Sequence, residues 1–368
     1  MKKLIFRKIT FDTSYLFALL CISLGIIVWT LQAVNYLDYV IQDGHGFKTY
    51  ILYSIYNFPK IIHRLIPFVF FISLFLILIN YEKKNELLIF WTHGISKVKF
   101  ANKILFLSVI LMIFQIVIGG FLSPLSQFKS RMILKSSNMN YFSSLIKEGK
   151  FINAVKGLTI FIQHKRDDGS FENIFIDDSY LNSNKMIFAK SGYVIDKGNK
   201  KVFNLKKGKV INKKNKKINE FKFDQIIFDL SKYSTNTILV PKVQETSSKK
   251  LINCSLITIN VSKEASRNCN NSIKKEITEE LLKRFYKPIY IPLIAMICCF
   301  LIILPKNSNG YNLQCRLTFL FGFMVLFLSE TTLRYSASSF LSTVIYIAIP
   351  LILFILIYSL FLIKSQNA

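Results

Sequence analysis

Long apolar runs and short alternating ones occupy different parts of this chain. Stretches of about 20 mostly apolar residues cross a bilayer as a helix. Such stretches fall at Tyr15–Val34, Leu65–Ile79 (with an amphipathic lead-in from Ile51), Ile104–Leu122, Phe285–Leu304, Leu317–Leu333 and Leu341–Ile363. Three precede and three follow a polar middle, so the pattern predicts an α-helical membrane protein with six transmembrane helices in a 3+3 arrangement. From Gly157 the period drops to two, the strand period. "GLTIFIQHK" sets Leu158, Ile160 and Ile162 on one face, and Ile174 and Ile176 alternate in "ENIFIDD" after the turn "DDGS". Three further segments of this kind follow, separated by "NSN", "KGNK" and "NKKNKK", all turn formers. They predict an inserted all-β domain, an antiparallel sandwich or roll. The expected division is residues 1–126 (spans about 13–37, 52–80 and 100–123), 127–278 for the β domain, and 279–368 (spans about 281–304, 315–334 and 341–363). The β interior is either a packed core or a receptacle for an acyl chain, and its edges could take a partner's strand.

Between the second and third spans lies "ELLIFWTHGISKVKF", Glu86–Phe100, too short to cross a bilayer and too apolar for an ordinary loop. On a helix Leu87, Leu88, Trp91 and Ile95 share a face, Phe90 widens it, and Gly94 is a natural stop. Such a helix, within residues 82–96, either lies in the headgroup plane or plugs into a groove on a soluble subunit.

Charge orients the chain. Of a net +27, +15 falls between Gln127 and Lys283. The abundance of Lys, Asn, Ile and Phe fits AT-rich coding as well as it fits an anionic partner. The middle lysines sit singly in turns without interleaved stacking aromatics, which disfavours nucleic acid. In the short connections, Lys2, Lys3, Arg7, Lys8, Lys83, Lys84, Lys97, Lys99, Lys306, Arg316 and Lys364 fall on one side if the spans alternate. By the positive-inside rule that side is cytoplasmic, with both termini there and the β domain outside. The first apolar run is a full span rather than a cleaved signal. Outside, Cys254 and Cys269 could close a disulfide or remain two thiols. The four histidines lack partners at metal-ligand spacing, so no metal and no cofactor are expected. Walker A, HExxH and GxSxG motifs are missing from the sequence, so the chain reads as a non-enzyme whose energy comes from a partner.

Ionisable groups inside spans are functional candidates because burial there is costly. Glu330 has Arg334 at i+4, either a self-contained ion pair or a contact for passing phosphates. Lys60 and Arg64 near the outer end of the second span either face a cavity or snorkel to headgroups. Gln32, Asn35 and Asp38 end the first span at three-residue spacing. Pro59, Pro67, Pro288, Pro292 and Pro350 each remove a helix hydrogen bond.

Three motifs bring a resemblance. "NELLIFWTHGIS", with Glu86 opening and Gly94, Ile95 and Ser96 closing, resembles the coupling helix of the lipopolysaccharide-export ABC transporter permeases, the LptF/LptG (YjgP/YjgQ) family. "EGKFINAVKGLTIFIQHKRDDGSFENIFIDD" resembles the start of that family's periplasmic β-jellyroll, and its Gly-x-Phe favours the LptF member. "EELLKRFYKP", with Glu280, Leu281, Arg284 and Pro288, resembles the family's lead into the fourth span. The resemblance implies a jellyroll-like periplasmic domain and a non-catalytic permease subunit in the bacterial inner membrane. It implies an LptB-like cytosolic ATPase dimer, a second, LptG-like permease as heterodimer partner, LptC/LptA-like periplasmic bridge proteins, and lipopolysaccharide as substrate. Coupling to the ATPase would fall on Glu86, Leu87, Leu88, Phe90, Trp91, Gly94, Ile95 and Ser96. The substrate cavity would draw on Gln32, Asn35, Lys60, Arg64, Glu330 and Arg334. Family members can carry basic residues where this chain has Gln32 and Asn35. The alternatives are a permease for another lipid or lipoprotein, or a membrane-anchored sensor or scaffold whose β domain binds a ligand.

Overall fold

The computed structural model describes residues 2–37, 46–137, 148–155, 158–166, 169–179, 184–197, 200–214, 217–229, 242–257 and 271–366. Asp38 and Cys269 lie outside them. Six helices are long and apolar enough to cross a membrane: Leu4–Tyr36, Phe47–Lys83, Lys97–Leu134, Lys274–Ile302, Tyr311–Ser336 and Phe340–Gln366. In element terms α1 is Lys2–Tyr36, α2 Phe47–Lys83, α3 Glu86–Thr92 and α4 Lys97–Val117. A π-turn at Ile118–Leu122 leads from α4 into α5, Ser123–Ser137. After the strands come α6 (Ser248–Ile257) and α7 (Asn271–Leu281). A second π-turn (Leu282–Tyr286) and a 3-10 turn (Lys287–Ile289) then lead into α8, Tyr290–Cys299. The chain ends with α9 (Tyr311–Ser336) and α10 (Phe340–Gln366).

The chain forms two compact units. One holds Met1–Leu31, Tyr56–Phe128 and Lys242–Ala368; the other holds Gln32–Ile55 and Lys129–Pro241. In the first, α8 is the central helix. A helix apolar all round is a buried one, and "YIPLIAMICC" is buried at every position except Pro292. It packs against α4, α9 and α10. The spans α1 and α10 are the most exposed, with 17% of each apolar window buried against 78% for the span that contains α8. Chain-internal packing therefore holds α8 in place, while α1 and α10 offer apolar surface to lipid or a partner. Prolines act unequally. The helix runs unbroken through Pro59, Pro67 and Pro350, whereas at Pro288 the backbone leaves α geometry. A π-turn just before it adds a second local defect.

In the second unit, β1 (Phe151–Val155), β2 (Leu158–Lys165), β3 (Phe171–Asp178), β4 (Asn184–Lys197), β5 (Lys200–Lys214) and β6 (Lys217–Asp229) form one six-stranded antiparallel sheet. The strand order is β1-β2-β3-β4-β5-β6, a meander. Among the described residues the crossed pairings of a sandwich or jellyroll do not occur, so the architecture shown is coarser than the one expected. Register places Ile160 opposite Ile176, Ile162 opposite Ile174, and Ile176 opposite Ile187. One sheet face thereby gathers Leu158, Ile160, Ile162, Ile174 and Ile176, all at most 2% exposed, into a cluster with residues of β4, β5 and β6. The Phe171 ring of β3 and the Phe203 ring of β5 meet at 5.6 Å, so strands that are not neighbours touch across this face.

Candidate functional site

Coupling stretch. The helix α3 is shorter than expected, with seven residues. Asn85 precedes it at φ 58°, and Gly94 follows at φ 70°, a left-handed backbone that favours glycine. Gly94 N donates to Trp91 O (2.9 Å) and Ile95 N to Phe90 O (3.2 Å). Those two bonds make a Schellman stop, and both Phe90 and Ile95 are buried. Ser96 then caps α4, its Oγ accepting from Lys99 N at 3.3 Å. The Gly-Ile-Ser run thus ends one helix and starts the next within three residues.

The face expected to hold Leu87, Leu88, Trp91 and Ile95 together is divided. Leu87, Phe90 and Ile95 are buried in the chain's own core, at 1%, 4% and 3% exposure. Leu88 and Ile89 are 60% and 50% exposed. Consecutive helical positions lie about 100° apart, so Leu87 and Leu88 cannot both turn inward. Gly94 also breaks the helical phase before Ile95. The Phe90 ring packs on Tyr81 and Phe100 (both 5.8 Å), and Trp91, half-buried, meets Phe100 edge-on at 5.6 Å. The helix is therefore seated on its own protein, with a narrow strip of Leu88, Ile89 and Thr92 turned outward.

Polar contacts tie this seat to neighbouring elements. Glu86, in the first turn where an anion is favoured, accepts from Lys8 Nζ at 2.7 Å. Tyr81 donates to Asp12, and Lys8 lies over the Tyr81 ring. Lys306 N donates to Glu82 Oε1 (2.8 Å), and Lys97 Nζ to Ile303 O (3.1 Å). Thus α3 is bonded to α1 through Glu86, and the end of α2 and the start of α4 that flank it are bonded to the connection between α8 and α9.

Cavity candidates. The expected Glu330–Arg334 pair is not formed; Glu330 accepts from Lys287 instead. Lys287 is buried on the 3-10 turn before α8, with its side chain 5% exposed. A buried ammonium requires a counter-charge, whereas Arg334 is exposed and has solvent or headgroups available. Lys60 is half-buried and Arg64 exposed. Lys60, Arg64, Lys242, Lys283 and Lys287 act electrostatically on one another, with Glu245 and Glu330 as counter-charges. Gln32 and Asn35 belong to the other compact unit. There Gln32 accepts from Tyr36 (3.2 Å), and Asn35 is exposed.

The lead into the fourth span. Arg284 is 1% exposed and uses all three of its nitrogens. Nε donates to Glu280 (3.0 Å), Nη1 to Thr246 O (3.0 Å) and Ser248 Oγ (2.9 Å), and Nη2 to Gln244 O (2.9 Å). Lys283 also reaches Glu280, at 3.2 Å. Ser248 donates in turn to Gly120 O in the first π-turn. A Cβ on the adjacent Gly119 would lie 2.2 Å from the His63 ring, so that glycine lets α2 and the π-turn meet. The Glu-Leu-x-x-Arg motif is therefore a clasp. It fastens the segment returning from the strands onto the third and fourth spans, and Pro288 follows it by four residues, buried. Gln244, Thr246, Ser248, Gly119 and Lys287 escaped the sequence reading. Only Lys287 carried a signal, as a lysine within an apolar span.

On the outer side of the sheet, Phe151 and Phe161 meet at 4.7 Å and Phe175 and Phe188 at 4.9 Å. Cys254 is disulfide-bonded, while Cys21, Cys298, Cys299 and Cys315 are free. Among the described residues, no three His, Cys, Asp or Glu gather as metal ligands.

Six apolar helices, a short helix seated at a span junction and an antiparallel sheet between the third and fourth spans have the composition and order of a multi-pass membrane protein. The chain matches the family model "Lipopolysaccharide export system permease LptF/LptG" over residues 7–364, and it belongs to that family. It is also 27% identical, over 184 residues, to the uncharacterized protein RP871 of Rickettsia prowazekii (strain Madrid E). That match covers 50% of this chain and spans about half (51%) of the curated relative's length.

Proposed function

We propose that this chain is a permease subunit that moves lipopolysaccharide out of the inner membrane, driven by a separate cytosolic ATPase dimer. The observation that carries the reading is the family match, which runs from α1 through the sheet to the last turn of α10. A second permease pairs with it, and periplasmic bridge proteins take the lipid onward from the sheet. The opening Gly149-Lys150-Phe151 favours the LptF type. In this reading the α3 end faces the cytoplasm and the sheet the periplasm. The disulfide at Cys254 supports that orientation, since such bonds persist in oxidising compartments.

Docking on α3 falls to the outward strip of Leu88 and Ile89 with the edge of Trp91. Leu87, Phe90 and Ile95 anchor the helix so that force on the strip enters the spans. Glu86 passes part of that force to α1 through Lys8. Arg64, Lys60 and Arg334 are the cations that lipid phosphates would meet, and Glu330 holds Lys287 in place behind them. The sheet's buried face, with Ile160 and Ile162, is the surface that shelters acyl chains as its strands part.

Co-purification from detergent extracts tests the reading. An ATPase subunit accompanies the chain, and Leu88→Glu, Trp91→Glu or Gly94→Trp releases it. Photo-crosslinkers at Arg334 and Ile160 then yield a glycolipid adduct. An ATPase retained by all three variants, with no glycolipid adduct, would leave the chain as a membrane-anchored sensor.

A further inference from the structure

A second feature lies at the same end of the bundle as α3. A cavity of about 490 Å³ opens between the N-terminal halves of α1 and α4. Its walls carry Phe6 and Arg7 from α1, and Lys103, Phe106, Leu107 and Ile110 from α4. Both helices start at this end, since Lys8 of α1 bonds Glu86 and α4 begins just after α3. Leu107 and Ile110 therefore lie one and two turns deeper than Lys103, about 6 and 10 Å along the helix.

The charges here differ from those nearby. Lys8 is paired with Glu86, and Lys97 and Lys306 donate to backbone carbonyls. Arg7 and Lys103 have no carboxylate partner among the described residues, and no acidic residue lines the groove. Lys103 Nζ lies 4.9 Å over the Phe106 ring, which leaves its charge available. The Thr10 hydroxyl, also in the wall, donates to Phe6 O and Arg7 O. Two unneutralised cations at the mouth of an apolar slot call for an anion with a hydrocarbon tail.

We propose that this groove binds an anionic phospholipid, its phosphate between Arg7 and Lys103 and one acyl chain along Leu107 and Ile110. Arg offers a planar fork to phosphate oxygens and Lys a compact charge. Basic pockets between spans recognise anionic headgroups in this way. A zwitterionic lipid would bring its own ammonium against the two cations, and free phosphate would lack the tail that fills the slot. The lipid also gives packing to α1, which the protein itself covers poorly. The inference rests on the six spans and not on the transport reading, so either can fail alone.

The test is native mass spectrometry of the complete chain released from nanodiscs, with phosphatidylglycerol, phosphatidylcholine or inorganic phosphate added. One phosphatidylglycerol should survive activation that strips phosphatidylcholine, and phosphate should neither bind nor displace it. Arg7→Gln with Lys103→Gln should weaken retention about thirtyfold, from the usual contribution of two basic residues near an anionic headgroup. Leu107→Trp, which blocks the slot and keeps both charges, should weaken it as well, and serves alone if the double variant aggregates. Lys99→Gln, an exposed cation at the same end, should not. Equal retention of both lipids, displacement by phosphate, retention unchanged in the variants, or a protein chain crosslinked at residue 107 in place of lipid overturns the proposal.

Discussion

Arg284 looks in sequence like one more cation ahead of an apolar run, and in the fold it is a fully used donor. Four acceptors surround it, from Glu280, Gln244, Thr246 and Ser248. A lysine has one nitrogen and no fork, so it cannot reproduce that geometry. Arg284→Lys should therefore behave almost as badly as Arg284→Ala, each costing roughly 3–5 kcal/mol, the usual loss when a buried charged partner is removed. Thermal unfolding in detergent measures this, and a lysine variant of wild-type stability would remove the clasp from the argument. Lys287 presents the complementary case. Glu330→Gln leaves a buried ammonium without its counter-charge, but Glu330 is 40% exposed. Water can reach the site, so the expected cost is lower, about 2 kcal/mol. Lys287→Met together with Glu330→Gln should recover most of it, because the unpaired charge is gone.

The short helix α3 shows how a single turn of phase decides what a helix can offer. Its apolar residues divide between an anchoring set and an outward strip, and the two sets predict different losses. Leu87→Glu puts a carboxylate where exposure is 1%. That variant should fail to accumulate in the membrane, as a loss of fold. Leu88→Glu, at 60% exposure, should accumulate normally and lose only the ATPase. Immunoblots of membrane fractions beside the co-purified ATPase separate the outcomes; identical behaviour of the pair would contradict the division. Gly94→Ala should destabilise by about 1 kcal/mol, since φ 70° is strained for any residue with a Cβ. It should also loosen the angle between α3 and α4, reducing ATPase capture more than stability.

For the molecule as a whole, orientation decides whether the sheet and α3 can serve one transport path. With Cys315 replaced by Ser, a membrane-impermeant maleimide should label Asp224→Cys in cells whose outer membrane alone is opened. Ser308→Cys, in the connection before α9, should react only after the inner membrane is breached. The reverse pattern would place the sheet in the cytoplasm, where neither the Cys254 disulfide nor a periplasmic hand-over fits.

Element type followed from local pattern. Runs of hydrocarbon side chains long enough to span a bilayer, and alternation after Gly157, favour helix and strand whatever the chain later packs against. For the same reason the burial of Ile160, Ile162, Ile174 and Ile176 was legible: a strand's period of two assigns each residue a face. Gly94 could be read as a stop because capping chemistry is local too, whereas Ser96, expected to close that helix, proved to start the next one. Three-dimensional packing alone decided which cation Glu330 would meet, since Lys287 lies 43 positions away in sequence, while Arg334 is merely near. It also decided that Leu87 faces inward and Leu88 outward, because amphipathic pattern sets angles between residues but not the direction of the core. Strand pattern likewise left closure open. Whether a sheet becomes a meander, a roll or a sandwich depends on which edges pair, and pairing is a property of the assembled chain.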